Sequence, residues 1–167
     1  MKKRGSLAWA AALILLAGPL LLAQEDIQRH PSCKYCGMDR AMFAHSRMLV
    51  EYEDGSSVGV CSLHCAVLEL VLNVGSMPKS VRVGDHDTKA LVDAEKASWV
   101  IGGRKPGVMT DRAKWAFREP ADAKKFMAEF GGTGAVFDLA VKAAFEDIYR
   151  NWQSSWDKRK KILEEMR

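Results

Sequence analysis

Two pairs of cysteines constrain this 167-residue chain more than any other feature. The first pair, in Cys33-Lys-Tyr-Cys36-Gly37, is typical of a tight turn that directs two sulfurs to one point. Gly37 permits the reversal because it has no Cβ. The second pair, Cys61 and Cys65, opens a predicted helix, where residues four apart share a face. Four thiols in this arrangement predict a metal site, because they suit a tetrahedral closed-shell ion such as Zn²⁺ or Cu(I). The positive end of the helix is also expected to lower the thiol pKa.

Hydrophobic periodicity around these cysteines predicts a β-hairpin, a helix and a third strand. Asp54-Gly55 is a hairpin turn signal between the first two strands, and Gly75 ends the helix. The polar residues 24–32 are expected to be extended. The predicted strands cover 47–53, 57–61 and 79–84, and the predicted helix covers 63–74.

A second pass of the same plan follows, with strands predicted over 98–101, 114–118 and 135–139. Its helix begins at Pro120 and ends at Gly131-Gly132. The two passes match at an offset of 56 residues in six apolar or glycine positions: Leu70 with Phe126, Val71 with Met127, Val74 with Phe130, Gly75 with Gly131, Val81 with Phe137 and Val83 with Leu139. This pattern favours an internal duplication of a β-β-α-β unit. Chance similarity between two helices is the alternative.

Residues 140–167 contain no Gly or Pro and predict a long helix. Its apolar stripe, Phe145, Ile148, Tyr149 and Trp152, is expected to pack on the domain, and the basic run 158–161 is interpreted as a solvated end. The predicted fold class is therefore α+β, with two β-β-α-β (treble-clef-like) units plus a long C-terminal helix. The first unit, with the Cys-rich metal site, spans 24–96, and the second unit with the helix spans 97–167.

The first 23 residues have the layout of a secretory signal peptide, with basic residues before an apolar run and Ala23 before the cut. An uncleaved anchor is the alternative, although Gly18-Pro19 interrupts a run shorter than the roughly 20 residues that span a bilayer. Either way the folded part is expected outside the cytoplasm, in the periplasm or another extracytoplasmic compartment, after secretion through the inner membrane. Membrane contact is expected only through this N-terminus, if it is uncleaved.

Charge and motifs exclude two broad classes of function. The chain has 25 basic and 21 acidic residues, and the mature form would keep 22 basic residues after losing Lys2, Lys3 and Arg4. That near balance argues against a nucleic-acid partner. The sequence has no Ser/His/Asp set at interpretable spacing, no Gly-rich phosphate loop and no nucleotide motif, so it is not expected to be an enzyme.

The cysteines alone leave three kinds of chemistry open. Structural zinc on four sulfurs is the leading interpretation of the spacing. Disulfides are a second, since extracytoplasmic thiols tend to oxidise. A Cys33–Cys36 bridge is feasible, whereas a Cys61–Cys65 bridge would be strained.

Copper(I) is the third interpretation, and methionine placement favours it because thioethers are soft ligands that zinc rarely takes. Met38 lies two residues after Cys36, and Met109 lies in a loop where an apolar side chain is unexpected. His64, between the second pair of cysteines, is a further candidate ligand. Each methionine could equally be core filler, and His64 could simply be an exposed residue on a helix face.

At Cys36-Gly37-Met38 the chain resembles the NosL family of copper chaperones, the accessory proteins of nitrous oxide reductase maturation. The likeness extends over about residues 33–139 through short motifs in a specific order: Asp54-Gly55, Ala97-Ser98-Trp99-Val100, Met109, Ala116-Phe117 and residues 126–132. The resemblance implies two β-β-α-β units and an extracytoplasmic Cu(I) site at their seam, with Cys36, Met38 and Met109 as ligands. Cys33, Cys61 and Cys65 go beyond that simplest site. They would form a second structural site, a richer copper site or a redox-controlled one.

The resulting hypothesis is an extracytoplasmic Cu(I) chaperone that passes its ion to a copper-accepting client protein. By resemblance the client would be nitrous oxide reductase, with a membrane transporter complex as a second candidate partner. The alternative is a structural zinc module, a treble clef with four cysteine ligands, that binds proteins. A thiol oxidoreductase using Cys33 and Cys36 ranks last, since the thioredoxin-like βαβ context is missing.

Overall fold

The computed structural model describes residues 25–166 of the chain. Its elements, in order, are α1 (Glu25–Arg29), β1 (Met48–Tyr52), β2 (Ser57–Val60), α2 (Leu63–Leu72), β3 (Pro78–Gly84), β4 (Leu91–Asp93), β5 (Ser98–Ile101), β6 (Lys114–Phe117), α3 (Pro120–Phe130), β7 (Thr133–Ala135) and α4 (Phe137–Glu165). The predicted signal peptide lies outside the described residues. No helix within residues 25–166 is long and apolar enough to cross a bilayer.

The strands form two antiparallel sheets with a shared plan. The first sheet has the order β2-β1-β3-β4, and the second has the order β6-β5-β7. In each unit the strand that comes first in the chain lies between the second and the third, and a helix separates the second strand from the third. The predicted fold class, two β-β-α-β units plus a long C-terminal helix, is therefore confirmed.

Local sequence patterns explain the first sheet well. Val50 on β1 lies opposite Val58 on β2 and Val81 on β3. Apolar residues of the three strands are therefore paired with one another, in agreement with the predicted alternation. The hairpin turn closes where Asp54-Gly55 predicted it, with the Gly55 amide donating to the carbonyl of Tyr52. Strand β4, which pairs with β3, was not predicted.

The last predicted strand, 135–139, is wrong. Strand β7 ends at Ala135 and helix α4 begins at Phe137. Phe137, Val141 and Ala144 recur at helical spacing and all pack against the main core, so helical periodicity dominates the short apolar run. At the 56-residue offset, Val81 and Val83 of strand β3 therefore match Phe137 and Leu139 of helix α4. The shared strand order of the two sheets supports the duplication, whereas this part of the sequence offset does not.

The prediction that residues 24–32 are extended is also wrong, because residues 25–29 form a short helix. Asp26 gives the reason. Its carboxylate is buried between two buried guanidinium groups, with Arg40 Nη2 and Arg47 Nε both 2.8 Å from Asp26 Oδ2. Burial raises the pKa of Asp26, but the hydrogen bonds and charges of Arg47 and Arg40 outweigh it and hold this pKa below its usual value. This ion cluster fastens the start of the described chain to the first sheet.

One core joins the two units. The main cluster of buried residues contains Met48 and Val60 of the first unit together with Trp99 and Ala116 of the second. Helix α4 adds Ala140 and other small side chains to it. A smaller cluster under α3 is built from Val100, Ala113, Trp115, Phe117, Ala123 and Phe126. The division of the chain between residues 96 and 97 stays a prediction.

Helix α4 packs on the domain over only its first half. Ile148 is half-buried against the main core, as expected, but Tyr149 and Trp152 are more than half exposed, contrary to the expected docking of the whole stripe. Residues 149–166 are all exposed. The basic run 158–161 lies in this exposed part.

Candidate metal centre

The four cysteines meet at one point, as the sequence predicted. Their sulfur atoms all lie within 4.8 Å of one another. Cys36 Sγ is 3.5 Å from Cys61 Sγ, Cys61 Sγ is 3.8 Å from Cys65 Sγ, and Cys65 Sγ is 3.9 Å from Cys36 Sγ. These separations are too long for a disulfide among Cys36, Cys61 and Cys65, since bonded sulfurs lie about 2.05 Å apart, and all four thiols are free in the structure.

A tight turn, the knuckle of residues 33–38, delivers the first two sulfurs. The Cys33 amide donates to the carbonyl of Met38 at 2.9 Å, and the Gly37 amide donates to the carbonyl of Cys33 at 3.0 Å. Gly37 has a φ of +74°, a left-handed conformation that a side chain would strain. The glycine after the first pair therefore has the role that the sequence indicated.

The hairpin and helix α2 deliver the other two sulfurs. Cys61 directly follows β2, and Cys65 lies in the first turn of α2, which begins at Leu63. Ser62 between them has extended backbone at the N-terminal end of the helix. The arrangement of knuckle, hairpin and helix start is the treble-clef plan expected from the spacing.

The sulfur geometry fits a single metal ion. A metal–sulfur bond of about 2.3 Å places sulfurs about 3.8 Å apart in a tetrahedron and about 4.0 Å apart in a trigonal plane. The three measured separations, 3.5, 3.8 and 3.9 Å, lie close to both values. Cys36, Cys61 and Cys65 are therefore spaced to hold a three-coordinate ion, and Cys33, within 4.8 Å of the other sulfurs, could supply a fourth ligand.

The thiols have unequal acidities. The hydrogen bond with Cys65 is the main reason that the pKa of Cys61 is lowered to about 6, with Ser62 and Cys36 contributing. The same hydrogen bond, together with burial, raises the pKa of Cys65, which contradicts the expected effect of the helix N-terminus. Burial raises the pKa of Cys36 to about 11. The three thiols titrate as one coupled group, in which Cys61 is the favoured thiolate and the other two are the favoured proton donors.

Exposure distinguishes one cysteine from the others. Cys33, Cys61 and Cys65 are at most 3% exposed and belong to the main core. Cys36 is half-buried at the edge of that core. An ion in the cluster would therefore meet solvent or a partner at Cys36.

The two predicted methionine ligands differ in their surroundings. Met38 ends the knuckle, and its half-buried side chain packs against the core that contains three of the cysteines. Met109 is 40% exposed and has a φ of 61°, unusual for a residue other than glycine. Its neighbour Val108 packs against both core clusters, so Met109 lies beside the seam between them. Coordination by either methionine stays a prediction.

His64 lies on α2 but outside the group of sulfurs that lie within 4.8 Å of one another. Its Nδ1 atom is buried and has no hydrogen-bond partner among the described residues. Burial and the charge of Lys114 lower the pKa of His64, and the charge of Asp147 partly offsets them. The charges that shift the pKa of His64 therefore lie on β6 and α4. Its role as a metal ligand stays a prediction.

Glu69 is a residue of this site that sequence reasoning missed. It is 1% exposed, and its carboxylate accepts hydrogen bonds from Lys34 Nζ at 2.9 Å and Tyr35 Oη at 2.5 Å. Tyr52 Oη and Asn73 Nδ2 donate to its other oxygen. Burial raises the pKa of Glu69, but the bonds from Tyr35, Lys34 and Tyr52 outweigh it and keep the carboxylate ionised. An acidic residue four positions after Cys65 in an otherwise apolar helix was the available signal.

Known proteins share both the sequence pattern and the fold. The sequence profile of the NosL family matches residues 24–144, more than half of the chain. The crystal structure of the copper chaperone NosL from Shewanella denitrificans is similar, with 21% identity and a TM-score of 0.50. The match covers 64% of this chain and 87% of that one, and it supports the fold. No curated protein matches this chain. The chain therefore belongs to the NosL family.

Proposed function

We propose that this protein is an extracytoplasmic copper chaperone that carries Cu(I) and releases it to a copper-accepting client. The observation that carries the proposal is the cluster of four sulfurs with one partly exposed member, Cys36. Soft thiolate ligands suit Cu(I) as well as Zn²⁺, and the thioethers of Met38 and Met109 favour Cu(I). Family membership and the solved copper chaperone of similar fold support the same conclusion.

Release would proceed by ligand exchange that begins at Cys36. The three other sulfurs are buried, so a partner's ligand reaches the ion first on the side of Cys36. Each new bond replaces one old bond, and the ion need not pass through water. Met38, which packs against the core that contains the buried cysteines, and the exposed Met109 would supply thioether ligands during the exchange. We propose the periplasm as the compartment, nitrous oxide reductase as the client and a membrane transporter complex as a second partner, because of the family likeness.

A structural zinc module is the second candidate function. One observation favours it: three of the four sulfurs are part of the main hydrophobic core, where a permanent ion would stabilise the fold. If four thiolates bind zinc tightly, removing the zinc with a chelator should unfold the protein. The two functions are therefore separable by metal preference.

The deciding measurement is metal affinity of the reduced chain from Gln24 onward, which contains every described element. Competition with a Cu(I)-specific chelator would be run beside a Zn²⁺ titration. A chaperone is expected to bind one Cu(I) tightly and retain it in the presence of Zn²⁺. Weak or sub-stoichiometric Cu(I) with tight Zn²⁺ would instead establish the structural module.

Replacing Met38 and Met109 together by leucine is expected to weaken Cu(I) binding at least about tenfold and to leave Zn²⁺ binding unchanged. Leucine nearly keeps the apolar volume, so the fold should be retained while both thioethers are lost. The measurement is the same chelator competition. Met127→Leu, a half-buried methionine of the second core, is the matched control. Unchanged Cu(I) affinity in the double variant would eliminate the thioether ligands from the proposal.

A further inference from the structure

The exposed end of α4 has no role in the metal site. Residues 149–166, the tail helix, are all exposed and extend beyond the family match, which ends at residue 144. At 1.5 Å per residue this segment projects about 27 Å from the domain. An isolated helix of this length is marginal in water, so a surface that covers one of its faces would stabilise it.

One face of the tail helix is apolar and aromatic. Tyr149, Trp152, Trp156 and Leu163 follow one another at spacings of three, four and seven residues, which places them on the same side. The ring centroids of Tyr149 and Trp152 are 6.1 Å apart, and those of Trp152 and Trp156 are 6.0 Å apart with nearly parallel planes. These rings form a continuous exposed ladder rather than scattered apolar residues.

A basic cluster accompanies the ladder. Lys158, Arg159, Lys160 and Lys161 form an uninterrupted run beyond the last tryptophan. The Lys160 ammonium lies 5.9 Å from the ring centroid of Trp156, so a cation borders the aromatic face directly. Arg159 is seven residues after Trp152 and therefore lies on the apolar face itself.

We propose that the tail helix docks on the surface of an anionic lipid bilayer, lying in the plane of the headgroups. Tryptophan and tyrosine concentrate at membrane–water interfaces because their rings are both apolar and polar. Arginine and lysine beside them extend to lipid phosphates while their stems stay in the apolar layer. The ladder and the basic run supply both halves of this recognition in one helix.

A second copy of the chain fits the same face less well. In a dry seam between two tail helices, Arg159 would be buried among the aromatic rings without a carboxylate on that face to pair with it. Burying an unpaired guanidinium is costly. At a bilayer the same side chain reaches a phosphate, so the charge favours lipid as the occupant.

Vesicle binding by the reduced chain from Gln24 onward tests the proposal. Sedimentation with vesicles of phosphatidylethanolamine and phosphatidylglycerol is expected to bring down the protein, whereas phosphatidylcholine vesicles should not. Trp152 and Trp156 are the only exposed tryptophans among residues 25–166, since Trp99 and Trp115 are buried. Their emission is therefore expected to shift to the blue with anionic vesicles. Equal binding to phosphatidylcholine, or no binding to either vesicle, would overturn the proposal.

Two variants locate the contact. Trp152→Gln with Trp156→Gln is expected to reduce binding to anionic vesicles at least about tenfold. Arg159→Gln with Lys160→Gln should reduce it about 25-fold, at about fivefold for each charge lost near the surface. The matched controls, Leu72→Gln with Val74→Gln and Lys124→Gln with Lys125→Gln, change exposed residues of the same kinds elsewhere and should bind normally. Unchanged binding in both tail variants, or a dimer in solution that the tryptophan substitutions dissociate, would refute docking on lipid.

Discussion

Replacing Cys61 by serine is expected to lower Cu(I) affinity by more than about 100-fold, because the substitution removes a ligand from the centre of the sulfur cluster. Cys61 Sγ lies 3.5 Å from Cys36 Sγ and 3.8 Å from Cys65 Sγ, so its loss removes one corner of the triangle of sulfurs. It is fully buried, and neither water nor a surface side chain could take its place. Loss of a mere outer-sphere partner already costs about 10–100-fold in metal affinity, so loss of a ligand should cost more.

The measurement is chelator competition on reduced protein, run beside near-ultraviolet circular dichroism. Serine is close to cysteine in size, so an unaltered dichroism spectrum would show that the fold persists. A folded variant that binds Cu(I) as tightly as the parent would remove Cys61 from the site. Since Cys61 belongs to the same core in the zinc interpretation, Zn²⁺ affinity should fall with it, and only the metal preference of the parent separates the two functions.

Asp26→Asn is expected to destabilise the fold by about 3–5 kcal/mol, because the substitution leaves two buried guanidinium groups without their carboxylate. Arg40 and Arg47 are at most 1% exposed, and both bind Asp26 at 2.8 Å. The measurement is urea unfolding followed by fluorescence. Glu25→Gln is the matched control, since its pair with Arg29 is exposed and should contribute less than about 1 kcal/mol. A loss below about 1 kcal/mol for Asp26→Asn would contradict the assigned role.

This contribution should also depend on pH. The pKa of Asp26 is lower in the folded chain than in the unfolded chain, so the ion cluster stabilises the fold fully above about pH 4. The contribution is lost as the pH falls through the lowered pKa of the folded state, where the carboxyl group finally binds a proton. The difference in stability between the parent and Asp26→Asn should therefore disappear at strongly acidic pH.

Short-range patterns made the cluster of four cysteines predictable. Cys33, Cys36 and Gly37 form their turn through local backbone bonds, and the hairpin and helix that bring Cys61 and Cys65 depend on periodicity within a few residues. Such features depend on neighbours in sequence, so the sequence is enough to predict them. The same locality explains why the hairpin turn and the helix at Pro120 were predicted correctly.

Apart from the strand predicted over 135–139, the errors concern contacts between distant parts of the chain. Helix α1 forms where Asp26 meets Arg40 and Arg47, and no periodicity in residues 24–32 announces that meeting. The sequence shows Glu69 as an acidic residue in a mostly apolar helix, but only the fold brings Lys34 and Tyr35 to its carboxylate. The pKa of Cys65 depends on its hydrogen bond with Cys61 more than on its place in a helix. In all three cases the structure or the pKa depends on residues that only the folded chain brings into contact.

Glu69 also bears on how an ion could leave the protein. Lys34 and Tyr35 are the two residues between Cys33 and Cys36, and both are held by this one carboxylate, which sits on the helix that carries Cys65. These bonds use none of the sulfur atoms, so they persist while metal bonds are exchanged. Many small zinc domains fold only when metal binds and must spend binding energy on ordering the chain. Here the four cysteines are already held together before an ion binds. The rate of transferring an ion to a client would therefore depend on ligand substitution at Cys36 rather than on unfolding of the domain.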